Sequence, residues 1–238
     1  ASTAEILMQL EGVSVSAYAW EKEVLPARVR HYSSNMLDNL SSSGRFIWMR
    51  LKKSNAKNSQ SAPVSITPIS ILPRSHMAQW LKLKLKQKPA LSTLKSNAKK
   101  VLSVLKKNGA SFFLEIVQET ELLRTQCEIA LAELVACGLA TSDSFAGLRA
   151  LAIPESKKPS YSRRRNRNRH YTNRIDEAGR WSLIKLTNTK EESSKLEYDE
   201  VLEIAKTLLY RYGVVFRKLL EAESCVASWR ELLYAYRR

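Results

Sequence analysis

The sequence predicts a mainly α-helical protein with small β wings, an α+β fold built from tandem winged-helix units. Residues 94–184 read in order as three helices followed by a pair of strands, which is the order of a winged helix. Residues 1–75 have a similar order and end in a predicted pair of strands. A third stretch repeats the helical part of the central one, since Gly109 and Gly213 are each followed by phenylalanine three residues later.

The first unit is predicted at residues 1–75. Short helices lead into a strand at residues 45–51, which is rich in aromatic and β-branched residues. Its predicted partner is residues 64–72, across a lysine-rich loop, although Pro68 breaks the alternation there. Residues 76–93 are predicted as a connector, because their alternating leucines and lysines would make a poorly amphipathic helix.

The central unit is predicted at residues 94–186 and begins with three helices. The first, residues 94–107, ends at an Asn-Gly pair typical of a helix C-terminus. The second can be capped by Ser111, and its apolar residues are predicted to be Phe112, Phe113, Ile116 and Val117. The third is predicted to open with a capping box, in which the Thr125 hydroxyl and the Glu128 carboxylate satisfy backbone amides.

The wing of the central unit is predicted to contain a long insertion. The outgoing strand is expected at residues 139–141 and the returning strand at residues 180–184, which leaves residues 142–179 where a short turn would suffice. A charged linker at residues 187–195 leads to the last unit, residues 196–238. That unit is predicted to be truncated before its wing, so the chain is expected to be a fragment.

Charge is unevenly distributed along the chain. The formal net charge is +16, and 15 cationic residues with no acidic one lie between Asp38 and Glu115. Residues 155–180 add nine cationic residues against three acidic ones. Segregation of this kind suits a polyanionic partner, and nucleic acid is the first candidate. The alternative is a basic protein whose lysines are simply solvated.

Several classes of protein are not expected from these residues. The three cysteines, Cys127, Cys137 and Cys225, form no CxxC motif, so buried free thiols are expected rather than a zinc site. No apolar run reaches the ~18 residues of a membrane span, and a cytoplasmic protein is expected. None of the seven glycines is followed by lysine, so the chain has no P-loop, and no bound cofactor is expected.

The wing insertion is the main predicted contact with nucleic acid. Its arginines interleave with asparagine, tyrosine and histidine, a composition that can neutralise phosphates and stack on unpaired bases. A flexible arm that follows a single strand without reading its sequence is one interpretation. A disordered, solvated insertion with no specific contact is the other. The predicted contacts are Arg163, Arg164, Arg165, Arg167 and Arg169.

Two further sites are predicted in the central unit. Arg180 on the returning strand is a candidate phosphate contact, because a guanidinium pairs bidentately with phosphate. Trp181 beside it is predicted either to stack on a base or to pack in the core of its own unit.

The start of the third helix is the second of these sites. Arg124 and Gln126 are candidates to hold a phosphate there, with help from the helix dipole. The outward residues of this helix are expected to include Glu128 and Glu133, which repel phosphates, so sequence-specific readout of duplex DNA is not expected.

Blocks of residues along most of the chain resemble the large helicase-related (Lhr) family, in the order in which that family has them. They include Trp20-Glu21, Leu25-Pro26-Ala27-Arg28-Val29, Leu37-Asp38, Ser43-Gly44, Gly109-Ala110-Ser111-Phe112-Phe113, Glu133-Leu134-Val135, Gly138-Leu139, Leu148-Arg149-Ala150, Gly179-Arg180-Trp181-Ser182-Leu183, Arg211-Tyr212-Gly213-Val214-Val215-Phe216 and Trp229-Arg230-Glu231-Leu232-Leu233.

The resemblance implies an ATP-dependent 3′ to 5′ DNA helicase, with a role in DNA repair, in which this region follows the motor domains and holds DNA behind them. ATP and Mg²⁺ would belong to those motor domains, which would act in cis or in trans, and this chain itself has no predicted catalytic residue. The expected partner is DNA, preferentially single-stranded. A stand-alone tandem winged-helix regulator and a non-functional remnant are the alternatives, and the sequence leaves open whether RNA also binds.

Overall fold

A computed structural model describes residues 2–51, 63–85, 94–153, 175–184, 196–223 and 226–237. The first unit has three helical segments and a small sheet in the order of a winged helix. These elements are α1 (Thr3–Gln9), β1 (Val15–Ser16), α2 (Ala17–Ala19) continuing into a π-helical turn (Trp20–Val24), α3 (Ser34–Ser42), β2 (Phe46–Met49) and β3 (Pro68–Pro73). The predicted strand pair is therefore confirmed, with Trp48 opposite Ile71.

The segment predicted as a connector contains a helix. This helix, α4, spans Met77–Leu85 and follows a 3-10 turn at Arg74–His76. It is stable because Trp80 and Leu83, one helical turn apart, are both buried. Lys84 also lies inside, where its amine donates to the carbonyl of Gly138. The alternation of leucine and lysine thus belongs to a helix, in which Met77 and Leu81 also pack against the core.

The central unit repeats the same order of elements. They are α5 (Ser96–Asn108), β4 (Ser111–Phe112), α6 (Phe113–Thr120), α7 (Arg124–Ala136), β5 (Ala140–Ser142), α8 (Phe145–Ala152) and β6 (Arg180–Leu183). Its sheet has the order β4-β6-β5, which matches the order β1-β3-β2 of the first unit. The two units are therefore copies of one winged-helix plan, and the predicted fold class is confirmed.

Helix α7 begins differently from the prediction. Its first residue is Arg124, and the Gln126 side chain accepts the backbone N–H of Leu123 at 3.1 Å. The capping box predicted at Thr125 and Glu128 is therefore wrong, because the helix starts before it. Glu133 was also expected to point outward, but it is buried and accepts the backbone N–H of Lys95 at 2.8 Å.

The last unit consists of helices in the described part of the chain. They are α9 (Tyr198–Tyr212), a 3-10 helix (Arg217–Ala222) and α10 (Trp229–Tyr236). Helix α10 begins with a capping box, in which the Ser228 hydroxyl accepts the N–H of Glu231 at 3.4 Å and the Glu231 carboxylate accepts the N–H of Ser228 at 2.8 Å.

One hydrophobic core joins the first and central units. Trp20 and Trp48 of the first unit lie in the same buried cluster as Leu134, Phe145 and Trp181 of the central unit. The rings of Trp48 and Trp181 meet edge to face, with centroids 6.3 Å apart. The two units therefore pack as one body rather than as modules separated by a linker.

Helix α8, which lies within the central wing, docks onto the first unit through charge. The Arg149 guanidinium donates to Glu21 at 2.6 and 2.7 Å and to Asp38 at 3.1 and 3.3 Å. Glu21 in turn accepts the hydroxyl of Tyr32 at 3.2 Å. Burial opposes the charge of Arg149, but its bonds with the two carboxylates outweigh that cost and raise the pKa of Arg149. Helix α8 is thereby fixed against α3.

A second core fills the opposite side of the first sheet. Met49 and Leu72 of that sheet pack there with Trp80 of α4, Ile204 of α9 and Leu232 of α10. The last unit is thus seated on the first unit and on α4.

Buried polar groups also stabilise the contact of the last unit with the first unit and α4. Glu11 accepts the indole N–H of Trp80 at 2.7 Å and lies 2.9 Å from Nδ1 of His76. Arg211 of α9 pairs with Glu223 and donates to the backbone carbonyl of Glu11. The charged groups at this junction are therefore bonded to one another instead of facing solvent.

Candidate nucleic-acid interface

Phe112 and Arg180 lie directly opposite each other in the antiparallel pair of β4 and β6. Phe112 is 48% exposed and the Arg180 side chain is 53% exposed. Directly opposed residues of a pair project from the same face of a sheet. An aromatic ring and a guanidinium are therefore neighbours on the outer face of the central wing.

The next pair along the same strands faces the core. Ser111 lies opposite Trp181, and both are buried. Trp181 has no exposed surface, so neither face of its ring is open to a base. The DNA contact predicted for Trp181 is therefore not supported, and its alternative as a core residue agrees with its position. The sequence pattern predicted Phe112 inside a helix, so this exposed aromatic residue was missed; the strand register and the burial of its neighbours identify it.

Arg180 is held at the surface by a carboxylate. Its Nε donates to Oδ2 of Asp143 at 2.9 Å, and this hydrogen bond raises the pKa of Arg180. The backbone N–H of Asp143 also donates to the carbonyl of Arg180 at 3.0 Å, so the two residues are neighbours across the β5–β6 pair. A phosphate reaching Arg180 would approach the terminal nitrogens of the guanidinium. The predicted phosphate contact of Arg180 stays a prediction.

The two residues predicted at the start of α7 have partners within the chain. Arg124 pairs with Asp176 and lies over the ring of Phe113, with Cζ 5.1 Å from its centroid. The amide oxygen of Gln126 accepts a backbone N–H, as described above. A phosphate at this helix terminus would compete with these bonds. The phosphate contacts of Arg124 and Gln126 stay predictions.

Helix α6 and the turn after it are acidic, which sets them apart from a phosphate-binding surface. Glu115, Glu119 and Glu121 are all on the exposed side of this segment. The start of α7 beside them exposes the apolar residues Leu123 and Ile129. The helix that reads bases in many winged-helix proteins is therefore flanked here by acidic and apolar groups.

A row of lysines covers the outer side of α5. Its inner side buries Ala98, Val101 and Leu105. Residues 95–108 contain no acid, and at 1.5 Å per residue they extend over about 20 Å. Lys107 forms an exposed ion pair with Glu119 of α6, with Nζ and Oε2 3.9 Å apart. The row, called the lysine face below, consists of Lys95, Lys99, Lys100, Lys106 and Lys107, all exposed.

Helix α3, the counterpart of α7 in the first unit, has a neutral polar surface. Asn35, Asn39 and Ser42 are exposed on it. Its one acidic residue, Asp38, is paired with Arg149. Sequence analysis did not single out this helix, because the neutralising arginine comes from a distant part of the chain.

The arginines predicted in the wing insertion, Arg163, Arg164, Arg165, Arg167 and Arg169, lie outside the described residues.

Within the described ranges, no group of three or more histidine, cysteine or acidic residues could hold a metal ion. The helices in those ranges are all too short or too polar to cross a bilayer. Burial raises the pKa of the Cys127 thiol to about 12.

Two family models match this chain, at residues 1–68 and at residues 194–238. Both are described as the winged-helix domain of the large helicase-related protein. Both ends of the chain therefore match winged-helix domains of the large helicase-related family. The matched residues coincide with the first unit and the last unit, and the central unit between them has the same winged-helix plan.

Two Lhr proteins are similar over nearly the whole chain. It is 29% identical over 239 residues, 92% of its length, to the Lhr helicase/uracil glycosylase of Escherichia coli. It is also 29% identical over 243 residues, 96% of its length, to the Lhr helicase/probable uracil glycosylase of Mycolicibacterium smegmatis. The chain spans 14% and 15% of the lengths of these two relatives, so it corresponds to one region of an Lhr protein.

Proposed function

We propose that this Lhr-family chain is a DNA-binding accessory region of an ATP-dependent helicase, and that it holds single-stranded DNA without reading its sequence. The motor that would move the strand, with its ATP and Mg²⁺, lies in other domains of the same polypeptide or in a partner protein. The relatives named as helicases support this role. The lysine face is the observation that carries the DNA-binding part of the proposal.

The lysine face suits a phosphate backbone for three reasons. Its cations are spread along one side of a helix whose own residues include no acid. The helix itself is firmly seated, since its other side is part of the shared core. Lysine ammonium groups contact phosphates as point charges and carry no base preference, so such a surface binds in a sequence-independent way.

The position of the acidic groups argues for single strands over a specific duplex site. A winged-helix regulator would place its third helix in a major groove. Around α7, the acidic residues Glu115, Glu119 and Glu121 would meet the phosphates that flank such a groove. A stand-alone regulator of duplex DNA is therefore the weaker alternative.

The test is a salt titration of the affinity for a labelled oligothymidylate, measured by fluorescence anisotropy. A variant with Lys95, Lys99, Lys100 and Lys106 changed to Gln should bind more weakly. Its log-log salt slope should be flatter by up to about 3, since each phosphate contact on a single strand contributes roughly 0.7. The matched control removes four exposed cations of the last unit by the changes Arg217→Gln, Lys218→Gln, Arg230→Gln and Arg237→Gln.

The control variant should keep most of the slope, because it loses the same charge from a different surface. Equal losses in the two variants would mean that net charge alone drives binding, and would contradict the lysine face. A wild-type chain that does not bind the oligothymidylate even at low salt would contradict the proposed function as a whole.

A further inference from the structure

We infer that Phe112 stacks on an unpaired base while Arg180 contacts a phosphate of the same strand, so that the outer face of the β4–β6 pair is a single-strand binding site. This inference rests on the proposed function and deepens it. The lysine face would supply attraction along the backbone, whereas Phe112 would give the surface its preference for unpaired bases.

The register of the strands fixes the two side chains together. Phe112 and Arg180 are a directly opposed pair, so their Cβ atoms are separated by about 5 Å on one face of the sheet. The buried pair next to them, Ser111 with Trp181, prevents either strand from turning over. The aromatic ring is thus held outward by the packing of its neighbours.

Asp143 positions the guanidinium of Arg180. Its carboxylate accepts a hydrogen bond from Nε, and Asp143 lies on the side of β6 opposite to β4. The bond therefore draws Arg180 toward Asp143 and away from the ring of Phe112. An exposed aromatic face beside an oriented guanidinium is the arrangement that stacks a base and pairs its phosphate.

The site follows the lysine face closely along the chain. Helix α5 ends at Asn108, and Gly109, with a φ of 78°, turns the chain into β4. Only three residues, 109–111, separate the end of that helix from Phe112. A strand that follows the lysines toward the C-terminal end of α5 therefore arrives at the aromatic ring. The backbone N–H of Phe112 is bonded to Glu115 at 2.7 Å, which anchors the position of the residue.

The experiment compares the variants Phe112→Ala, Phe112→Leu and Phe112→Trp for binding to an oligothymidylate and to a duplex. Phe112→Ala should weaken single-strand binding by about 5- to 100-fold, the range for loss of one stacked base. Its salt slope should not change, because no charge is removed. Phe112→Trp should retain affinity, and Phe112→Leu should not, since leucine is apolar but has no π face. Duplex affinity should be the same for all three.

A control variant and a second test variant complete the experiment. Leu114→Ala removes an apolar residue of the neighbouring helix that is 54% exposed, and it should leave affinity unchanged. Arg180→Gln should flatten the salt slope by about 0.7. Because Phe112 is exposed, the melting temperature of Phe112→Ala should match that of the wild type.

The outcomes separate this inference from the proposed function. If Phe112→Ala or Phe112→Leu binds the single strand as well as the wild type, stacking at Phe112 is refuted. The lysine-face variant would still report on the proposed function in that case. If the wild-type chain binds no single strand, both are refuted.

Discussion

Arg149 and Glu21 join two winged-helix units through a pair of parallel hydrogen bonds, 2.6 and 2.7 Å long. Arg149 lies on a helix inside the wing of the central unit, whereas Glu21 lies next to Trp20 in the core of the first unit. The arginine side chain is 16% exposed and the glutamate side chain is 11% exposed. The contact therefore lies within the shared interior and contributes to the fixed arrangement of the two units.

Arg149→Met should destabilise the chain by about 3 kcal/mol, because it leaves Glu21 and Asp38 as unpaired charges in a mostly buried site. Urea unfolding would measure the change. Arg180→Met is the matched control, since its pair with Asp143 is exposed to solvent and should contribute little to stability.

A triple variant tests the stated cause. Changing Glu21→Gln and Asp38→Asn together with Arg149→Met removes every charge of the cluster and should recover part of the lost stability. If Arg149→Met costs no more than Arg180→Met, the charged contact between the units does not contribute as described.

Gly12→Ala should destabilise the chain far more than Gly109→Ala. Both glycines have positive φ, 81° and 78°, so each substitution carries a backbone cost of about 1 to 3 kcal/mol. A methyl group at Gly12 would also lie 2.2 Å from the ring of Trp80, whereas one at Gly109 would meet nothing within 4 Å. Thermal unfolding of both variants would check this. Equal melting temperatures would contradict the close packing of Trp80 against Gly12.

Cys127 should resist alkylation by iodoacetamide in the folded chain at pH 8. Burial raises the pKa of its thiol to about 12, so almost no thiolate forms, and the buried sulfur is also out of reach. Peptide mass mapping after a timed reaction would distinguish Cys127 from the other cysteines. Modification as fast as in urea would show that this core opens readily.

The free energy of unfolding should fall as the pH rises above about 8.5. Unfolded thiols ionise near that pH. Burial raises the pKa of Cys127 and that of the Tyr236 hydroxyl to about 12, so the folded state keeps protons that the unfolded state releases. The stability that these groups contribute is complete below their unfolded pKa values and is lost toward pH 12. Urea unfolding at pH 8 and pH 10.5 would test this, and equal free energies would contradict it.

Removing the arginines of the wing insertion should weaken single-strand binding and flatten its salt slope. This follows from the sequence, because these five residues lie outside the described part of the chain. An unchanged slope would refute the basic arm while leaving the lysine face untouched. The variant replaces Arg163, Arg164, Arg165, Arg167 and Arg169 with Ala.

The order of elements could be predicted because it depends on local signals. Glycines after α5 and α9, and the aromatic and β-branched residues of β2, mark where helices end and strands run. The family resemblance was predicted from residues spread along the chain, and the matches at residues 1–68 and 194–238 confirm it.

The candidate site was harder to predict, because it depends on which residues pair. A shift of one residue in a strand exchanges the exposed and the buried side chains. Phe112 lies between a serine and a phenylalanine, and Trp181 lies between an arginine and a serine. The pattern of polar and apolar residues therefore did not show which aromatic ring faces solvent. The charge of α3 was missed for a similar reason, since Arg149 neutralises Asp38 from 111 residues away.

The most direct test of the account is a competition experiment with the intact chain bound to a labelled single strand. Unlabelled single strands of unrelated sequence should compete almost equally, and a duplex of the same sequence should compete much less well. This result is expected because lysines and a stacking ring contact features that every single strand has. A duplex of one particular sequence that competes better than any single strand would contradict the account.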